Sequence, residues 1–424
     1  MKSYSNYKDS GVKWLGQIPQ HWEKCRCKDV LIEQKLLVGD NSQDYTLLSL
    51  SMKGVIARDV SEGKGKFPKE FNSYKIVEPD DLVFCLFDVD ETPRTIGLSS
   101  QKGMITGAYD IFKVKGASKE FLYYFFLSLD NAKSLKPLYK GLRKVIPMPA
   151  FRAMPLFLPP LSEQLSIVSY LDGKVSAMDR LVLLTQQKVE HLKALKQAII
   201  QEAVTRGIPN KNHILKQTNI KWIKQIPQHW EEIRLGRLFT ENKKVNSDLA
   251  CMEAYKFNYG SLVRKDLGID PKELQDTYSK YTVLKDRDIV INGLNLNYDF
   301  VSVRVAQAFQ KGVITSAYLV LEPRKNICDK YYCWLLKAMD YMKLFHGMGS
   351  GIRLTLSYKD LKNQLLPLPP LSEQEEMVAY LDEKTAKIDL LIDKELQQID
   401  HIKDLKQTLI ADVVTGKVDV TAKY

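Results

Sequence analysis

No run of the chain approaches the roughly 18 consecutive apolar residues that a membrane-spanning helix needs. The longest apolar stretches, Leu82–Phe87 and Phe121–Leu127, have the length of a strand or of one buried helical segment. The opening residues, MKSYSNYKDSGVKW, contain no apolar segment of the kind a secretion signal carries. These absences predict a cytoplasmic protein. Cysteine is scarce, with 6 among 424 residues. Cys25, Cys27, Cys85, Cys251, Cys328 and Cys333 form no C-x-x-C pair, and none stands at zinc-finger distance from a His pair. Reduced, mostly buried thiols are expected, and no metal site.

The signatures of catalysis are missing as well. There is no G-x-x-x-x-G-K-[ST] phosphate loop and no N-P-P-[FY] segment of an amino-methyltransferase. The glycines of Gly347–Gly351 lack the following Lys-Ser/Thr, so they read as a hinge whose amides could approach a phosphate. A metal-dependent nuclease needs converging carboxylates. The clusters Asp80-Asp81 and Asp88/Asp90/Glu91 are poorly matched by Asp286, Asp288, Asn292 and Asn295 in a second copy described below, and read as solvated loops. His21 and His229 adjoin Trp22 and Trp230 without a Ser or Cys nucleophile, which makes them packing anchors. No catalytic residue and no cofactor is expected.

What is present is positive charge and repetition. Lys and Arg number 62 against 51 Asp and Glu, a net charge of +11. Such an excess favours a polyanionic partner, because each cation near a phosphate releases condensed counterions. The chain is 45% hydrophobic and 27% charged, ordinary for a globular protein with room for two or three cored domains.

WLGQIPQHWE (Trp14–Glu23) recurs as WIKQIPQHWE (Trp222–Glu231), differing only at its second and third positions. LPPLSEQ (Leu158–Gln164) recurs unchanged at Leu368–Gln374; YLDGK returns as YLDEK, and HLKALKQ as HIKDLKQ. The offset is 208 residues at the first motif and 210 at the others. Between these ends the copies agree weakly, at KGMITGAY against KGVITSAY and at Gly141-Leu-Arg143 against Gly351-Ile-Arg353. A frame kept while its insert changes suits two readers of different sequences on one scaffold.

Each insert reads as a mixed α/β lobe. Strands are expected at Tyr45–Leu50, Leu82–Phe87 and Met104–Val114, then at Ile289–Ile291, Val301–Val305 and Val313–Leu321, with helices near Lys119–Leu129 and Asp329–Phe345. After each Pro-Pro pair, Ser162 and Ser372 read as N-caps of long helices, with Glu375 completing a capping box in the second copy. No proline follows until after Thr205 and Thr415, and apolar residues recur at heptad-like spacing. Leu171, Val175, Met178, Val182, Val189, Leu192 and Ile199 form one stripe; Leu381, Thr385, Ile388, Ile392, Ile399, Ile402 and Leu409 form the other. Polar breaks fall at Thr185, Glu395, Lys196 and Lys406. Each helix would span about 65 Å at ~1.5 Å per residue, whereas the link from Thr205 to the second Trp motif reaches ~40 Å at most. An antiparallel pair with a lobe at either end is the economical arrangement.

A lobe ending in P-L-P-P-L-S-E-Q, followed by a long helix, all present twice, resembles type I restriction-modification specificity subunits; the W-x-x-x-I-P-x-H-W-E openings belong to the same pattern. The resemblance spans about Gly11 to Gly416 and implies an α+β fold. Its segments would be a target-recognition domain over 1–157, a long helix over 158–209, a second recognition domain over 210–367 and a second helix over 368–424. It further implies a bipartite, asymmetric double-stranded DNA site, one half per lobe, with the helices setting the gap. Two adenine-methyltransferase subunits and the motor-endonuclease subunits would supply S-adenosylmethionine binding, methyl transfer, ATP hydrolysis and cleavage. A reader from a related split-site system, or a stand-alone DNA-binding regulator, would share much of this pattern.

Candidate DNA contacts follow from residue type, since phosphates need Lys or Arg and base edges favour Arg, Asn and Gln. They are Arg58, Lys64, Lys66, Arg94, Arg143 and Lys144 in lobe 1, and Arg264, Lys265, Asn295, Asn297 and Arg353 in lobe 2. Arg143 and Arg353 occur in both copies and so read as backbone-positioning residues. Helix-pair packing is assigned to Leu171, Val175, Met178, Val182, Leu192, Leu381, Ile388, Ile392 and Ile402.

Overall fold

The computed structural model describes residues 2–58, 71–142, 144–209, 213–265, 274–324, 326–351 and 354–421. The chain forms two compact units, Met1–Thr185 with Gln397–Tyr424, and Gln186–Leu396. Each unit therefore holds one lobe and part of both long helices, so compactness cuts across the helices instead of following the four sequence segments.

In lobe 1 the central sheet is antiparallel, in the order Leu31–Gln34, Asp110–Val114, Leu82–Phe84, Ile96–Leu98. Glu23–Arg26 pairs with Pro155–Leu158, the strand that feeds the long helix. Smaller pairs join Tyr7–Asp9 to Gln17–Pro19, Leu48–Ser51 to Gly54–Ala57, and Lys75–Val77 to Gly103–Ile105. Lobe 2 repeats every pairing. Its central order is Phe239–Glu241, Leu319–Pro323, Ile289–Ile291, Val305–Gln307, and Glu231–Arg234 pairs with Leu365–Leu368. Two inserts that barely align in sequence thus share one topology, because alternating buried residues (Leu82 and Phe84, Ile289 and Ile291) need only be apolar to line the same core.

The helix Lys119–Asn131 is capped by Ser118, whose hydroxyl accepts from the Phe121 amide at 3.2 Å. It buries Phe121, Leu122, Phe125, Phe126 and Leu129 against Phe84, Phe112 and Phe151. Its counterpart Asp329–Tyr341 buries Tyr331, Tyr332, Leu335, Leu336 and Met339 beside Trp230 and Phe239. Each core also takes in both long helices. Lobe 1 packs on Ile167 and Leu171 of one and on Leu409, Ile410, Val413 and Val414 of the other. Lobe 2 packs on Ile200, Ala203 and Val204 together with Met377, Val378 and Leu381.

The long helices run Leu161–Arg206 and Leu371–Val414. They begin one residue ahead of the serines, which corrects the N-cap expectation. Pro160 and Pro370 carbonyls accept the first helical bonds, from Glu163 and Gln164 and from Glu373 and Gln374, and Ser162 and Ser372 lie inside the first turn. Every expected stripe position is buried or half-buried, and most of its neighbours in sequence are exposed; Ile200 and Ile410, next to Ile199 and Leu409, are buried in the lobe cores instead. Within the second unit, Lys196 pairs with Asp389 at 2.6 Å and Lys188 with Glu395 at 2.6 Å. Within the first, Lys406 pairs with Asp179 at 2.5 Å. In the second unit the residue number falls on one helix as it rises on the other, so the helices run antiparallel there. Thr185 and Thr385, buried in the stripe, turn their hydroxyls back onto the Leu181 and Leu381 carbonyls at 2.8 and 2.7 Å.

Five strand expectations need correction: the strand expected over Tyr45–Leu50 runs Leu48–Ser51, that over Leu82–Phe87 ends at Phe84, and three others differ more. Met104–Val114 and Val313–Leu321 are each two strands, broken by turns closed from Thr106 to Tyr109 and from Thr315 to Tyr318. Val301–Val305 is loop up to residue 304, because the Asp299 carboxylate accepts from the Val301 and Ser302 amides, each at 3.0 Å, and holds the chain in a turn.

Candidate nucleic-acid interface

The shared motifs explain how each lobe is fixed to its helix. Glu163 accepts from Trp22 Nε1 at 3.0 Å, from Tyr4 Oη at 2.8 Å, and lies 2.7 Å from His21 Nε2. Glu373 repeats this with Trp230 at 2.9 Å and His229 at 2.7 Å. The next residue, Gln164, accepts from the Ser118 amide at 2.8 Å and donates to the Pro159 carbonyl at 2.9 Å; Gln374 does the same with Cys328 and Pro369. The Ser-Glu-Gln step is thus a clasp joining lobe entry, lobe helix and long helix. His21 and His229 belong to that clasp.

Away from the clasp, each lobe carries a loop after its central strand and a short hairpin stitched to it. In lobe 1 the hairpin is closed by paired bonds between Lys140 and Val145, and the Ile146 amide donates to Leu86 at 2.8 Å. In lobe 2 Ser350 and Thr355 close the hairpin, and the Leu356 amide donates to Gly293 at 2.9 Å. The far end of each loop is held by an aspartate in the last turn of the lobe helix. Asp130 accepts from the Thr95 amide at 3.0 Å, and Asp340 from the Arg304 amide at 2.6 Å.

The frames match and the chemistry of the loops does not. Phe87–Pro93 carries Asp88, Asp90 and Glu91, with Asp90 close to Lys144 at 3.2 Å and bonded by Tyr139 at 3.2 Å. Nearby hydrogen bonds and cations hold the Asp90 carboxyl below its ordinary value despite the opposing cost of desolvation. Asn292–Val303 carries Asn295, Asn297, Tyr298, Phe300 and Val301. It is organised from beneath by Arg304, whose side chain is 1% exposed and donates to the carbonyls of Asn292 at 3.1 Å, Leu294 at 2.8 Å and Asp299 at 2.8 Å. The amide of Ser302 foremost, with that of Val301, lowers Asp299 to about 2. The adjoining hairpin Tyr255–Asn258/Ser261–Arg264 rests on the same loop, since a Cβ on Gly260 would lie 2.6 Å from Val303. Exposed Tyr259, next to Gly260, therefore borders it, and Lys256 and Arg264 are exposed further along the same hairpin.

The expected contacts distribute unevenly. Lys64, Lys66, Arg143 and Arg353 lie outside the described residues. Arg58 follows the hairpin strand Gly54–Ala57, half-buried. Arg94 turns inward to Asp130 at 3.2 Å and Asn131 at 3.0 Å, a brace of the loop, and is dropped from the contact set. Lys144 is drawn to Asp90 and Glu91, and Arg264 approaches Glu253 at 3.5 Å. Lys265 is half-buried, its amide bonded to the Ala254 carbonyl. Asn295 is exposed at φ +52°, a conformation Asn tolerates. Asn297 Oδ1 is buried and finds no partner among the described residues. Sequence reasoning missed a cleft of about 680 Å³ in lobe 1, lined by Lys28, Lys35 and Arg152 together with Glu33 and Asp110, beside Val145–Pro149. It also missed Arg304, because an arginine before a strand carries no sign of burial. Among the described residues, no group of His, Cys, Asp and Glu could hold a metal ion, and no helix is long and apolar enough to cross a membrane.

Comparison with known proteins follows this geometry. Residues 227–401 match the family model described as the type I restriction modification DNA specificity domain. The chain is 24% identical over 286 residues to the type I restriction enzyme EcoBI specificity subunit of Escherichia coli, covering 63% of this chain and 58% of that one. It is 21% identical over 436 residues to the putative type I restriction enzyme MjaX specificity subunit of Methanocaldococcus jannaschii, covering 98% of each. Its fold matches a chain solved in a study of complex assembly and conformational transition of the type I R-M system. The TM-score is 0.68 at 17% identity, over 95% of this chain and 99% of that one.

Proposed function

Because the chain belongs to the family of type I restriction-modification specificity subunits, we propose that it selects the DNA site on which such a complex acts, one half-site per lobe. The observation that carries this reading is the contrast between equivalent loops. One strand order and one aspartate clamp present an acidic loop in lobe 1 and an amide-and-aromatic loop in lobe 2. Readers of unlike chemistry on one frame fit a split, asymmetric target, since direct readout is set by the donors, acceptors and methyl groups that meet each base pair.

Affinity in this reading comes from cations on the same faces. Lys28, Lys35 and Arg152 in the lobe 1 cleft, with Arg58, Lys64, Lys66, Arg143 and Lys144, would meet phosphates; Arg264, Lys265 and Arg353 would do so in lobe 2. Asn295 would meet a base edge, with Asn297 offering only its amide N–H groups because its Oδ1 is buried. The paired helices, packed through Leu171, Val175, Met178, Val182, Leu192, Leu381, Ile388, Ile392 and Ile402, would fix the spacer. The subunit is non-catalytic and works in the cytoplasm on chromosomal DNA. Two methyltransferase subunits and the restriction subunits dock on it and carry out the chemistry, with cofactors of their own.

Mapping methylated adenines in the source genome, with and without this chain, tests the proposal. A bipartite, non-palindromic motif that disappears with the chain is expected. A palindromic or uninterrupted motif, or a methylation pattern indifferent to the chain, would overturn it.

A further inference from the structure

The loop Asn292–Val303 combines order with exposure. Arg304 ties three of its carbonyls, Asp299 caps two of its amides, and Phe300 stacks on His346 with ring centroids 4.5 Å apart. Nevertheless Tyr298 is 77%, Phe300 54% and Val301 88% exposed. Apolar side chains fixed in water by a buried cation are unfavourable for the isolated fold, and mark a surface shaped for a ligand.

The loop's chemistry narrows what base pair that ligand presents. Guanine is read by Arg or Lys, but Asn292–Val303 contains neither, and the adjoining Arg304 faces inward to carbonyls. Cytosine is read by a carboxylate, but Asp299 is engaged by the Val301 and Ser302 amides. What remains is an exposed asparagine, Asn295, suited to the paired donor and acceptor of adenine, and an apolar edge suited to the 5-methyl group of thymine. The neighbouring hairpin supplies cations for the flanking phosphates in Lys256 and Arg264.

Building on the function proposed above, we infer that this loop recognises an A·T pair in the lobe 2 half-site. Val301 and Phe300 pack on the thymine methyl, Asn295 meets the adenine edge, and Arg304 is the positioning residue that holds them in place. The acidic loop of lobe 1 offers no such contact, so thymine-methyl recognition of this kind belongs to one half of the target.

The test uses the chain assembled with its methyltransferase subunits and a duplex carrying the genomic methylation site. The thymines of each half are replaced in turn by deoxyuridine, which removes the methyl and leaves the pairing edge unchanged. In one half, deoxyuridine should weaken binding about four-fold, the effect of one buried methyl. Val301→Ser should bind the thymine duplex correspondingly less well and no longer distinguish the two bases there. Arg304→Lys should reduce the same discrimination; Val301 lies on the surface, so its variant keeps the test decisive if Arg304→Lys fails to fold. Equal responses of the wild type and Val301→Ser to deoxyuridine in both halves would overturn the inference. A wild-type complex without site-specific binding would overturn the functional reading beneath it, a distinct result.

Discussion

The indole N–H of Trp22 and the carboxylate of Glu163, 141 positions apart in sequence, meet at 3.0 Å, and Trp230 meets Glu373 at 2.9 Å in the same way. This contact gives the two repeated motifs a common reason to exist. The His-Trp pair ends the lobe's entry hairpin, the Glu opens the long helix, and their bond fixes the angle at which one leaves the other. The helix N-terminus also suits a carboxylate electrostatically.

Breaking the clasp should be expensive. Glu163→Ala and Glu373→Ala each leave a buried indole N–H unpartnered, and loss of a hydrogen bond to a charged group costs about 1.5–3 kcal/mol. Urea unfolding should show a destabilisation of that order in each variant. Glu→Gln, which keeps one acceptor, should cost less. A change within about 0.5 kcal/mol for both alanine variants would show that the clasp does not hold the lobe.

Two carboxylates give pH dependences of opposite sign. For Glu373 burial acts upward, but bonds from Trp230 and His229 outweigh it and hold the carboxyl below its ordinary 4.5. Its contribution to stability is present above that value and is lost as pH falls through the lower folded value. Asp288 is fully buried, and burial pushes it up to about 6 from 3.8, against the Lys285 amide and Asn242. The folded state therefore holds the proton more tightly, so its contribution is complete below 3.8 and lost as pH rises through about 6. The shift corresponds to roughly 3 kcal/mol. The stability of Asp288→Asn relative to wild type should rise across that window, measured by urea unfolding at pH 4 to 7.

The helix seam separates apolar from ionic contributions. Leu381, fully buried where helix meets lobe 2, should cost about 2–5 kcal/mol when changed to Ala. Lys196→Ala, which removes the exposed pair with Asp389, should cost under about 1 kcal/mol. Exchanging the charges, Lys196→Asp with Asp389→Lys, should recover what either single reversal loses. Calorimetry of the set checks the ranking.

The legible parts of this molecule were those governed by periodicity and repetition. The stripes through Leu171 and Leu381 announced long paired helices because a 3.5-residue period needs no tertiary context. Single strands were harder. Val301 and Val303 have strand-like side chains, but Asp299 and Arg304 impose a turn through contacts that neither propensity nor pattern records. The serine caps failed because the Pro160 and Pro370 carbonyls accept the first helical bonds, which puts Ser162 and Ser372 inside the first turn. The acidic pairs misled in a different way. Asp81 and Asp288 share one task, accepting from the Glu78 and Lys285 amides at 2.8 and 2.9 Å to turn the chain into the central strand. Arg94, expected at the surface, is drawn inward by Asp130 and Asn131, and Arg304, which the sequence did not single out, is drawn inward by loop carbonyls.

Arg143 and Arg353 provide the last prediction. In the sequence each falls between residues that pair with one another, Lys140 with Val145 and Ser350 with Thr355, and the following residue, Ile146 or Leu356, bonds to the reading loop of its lobe. A cation shared by both copies brings no information about differing half-sites, so its use in DNA binding would be to register the lobe on the phosphates. Arg143→Ala and Arg353→Ala should therefore weaken binding of the assembled complex to specific and unrelated duplexes by similar factors. Each should also reduce the slope of log affinity against log salt by about 1, the signature of one lost phosphate contact. Val301→Ser, by contrast, should leave the salt slope unchanged while altering sequence preference. If the arginine variants keep the wild-type slope, or lose affinity only for the cognate site, these side chains read bases or do not touch the duplex at all.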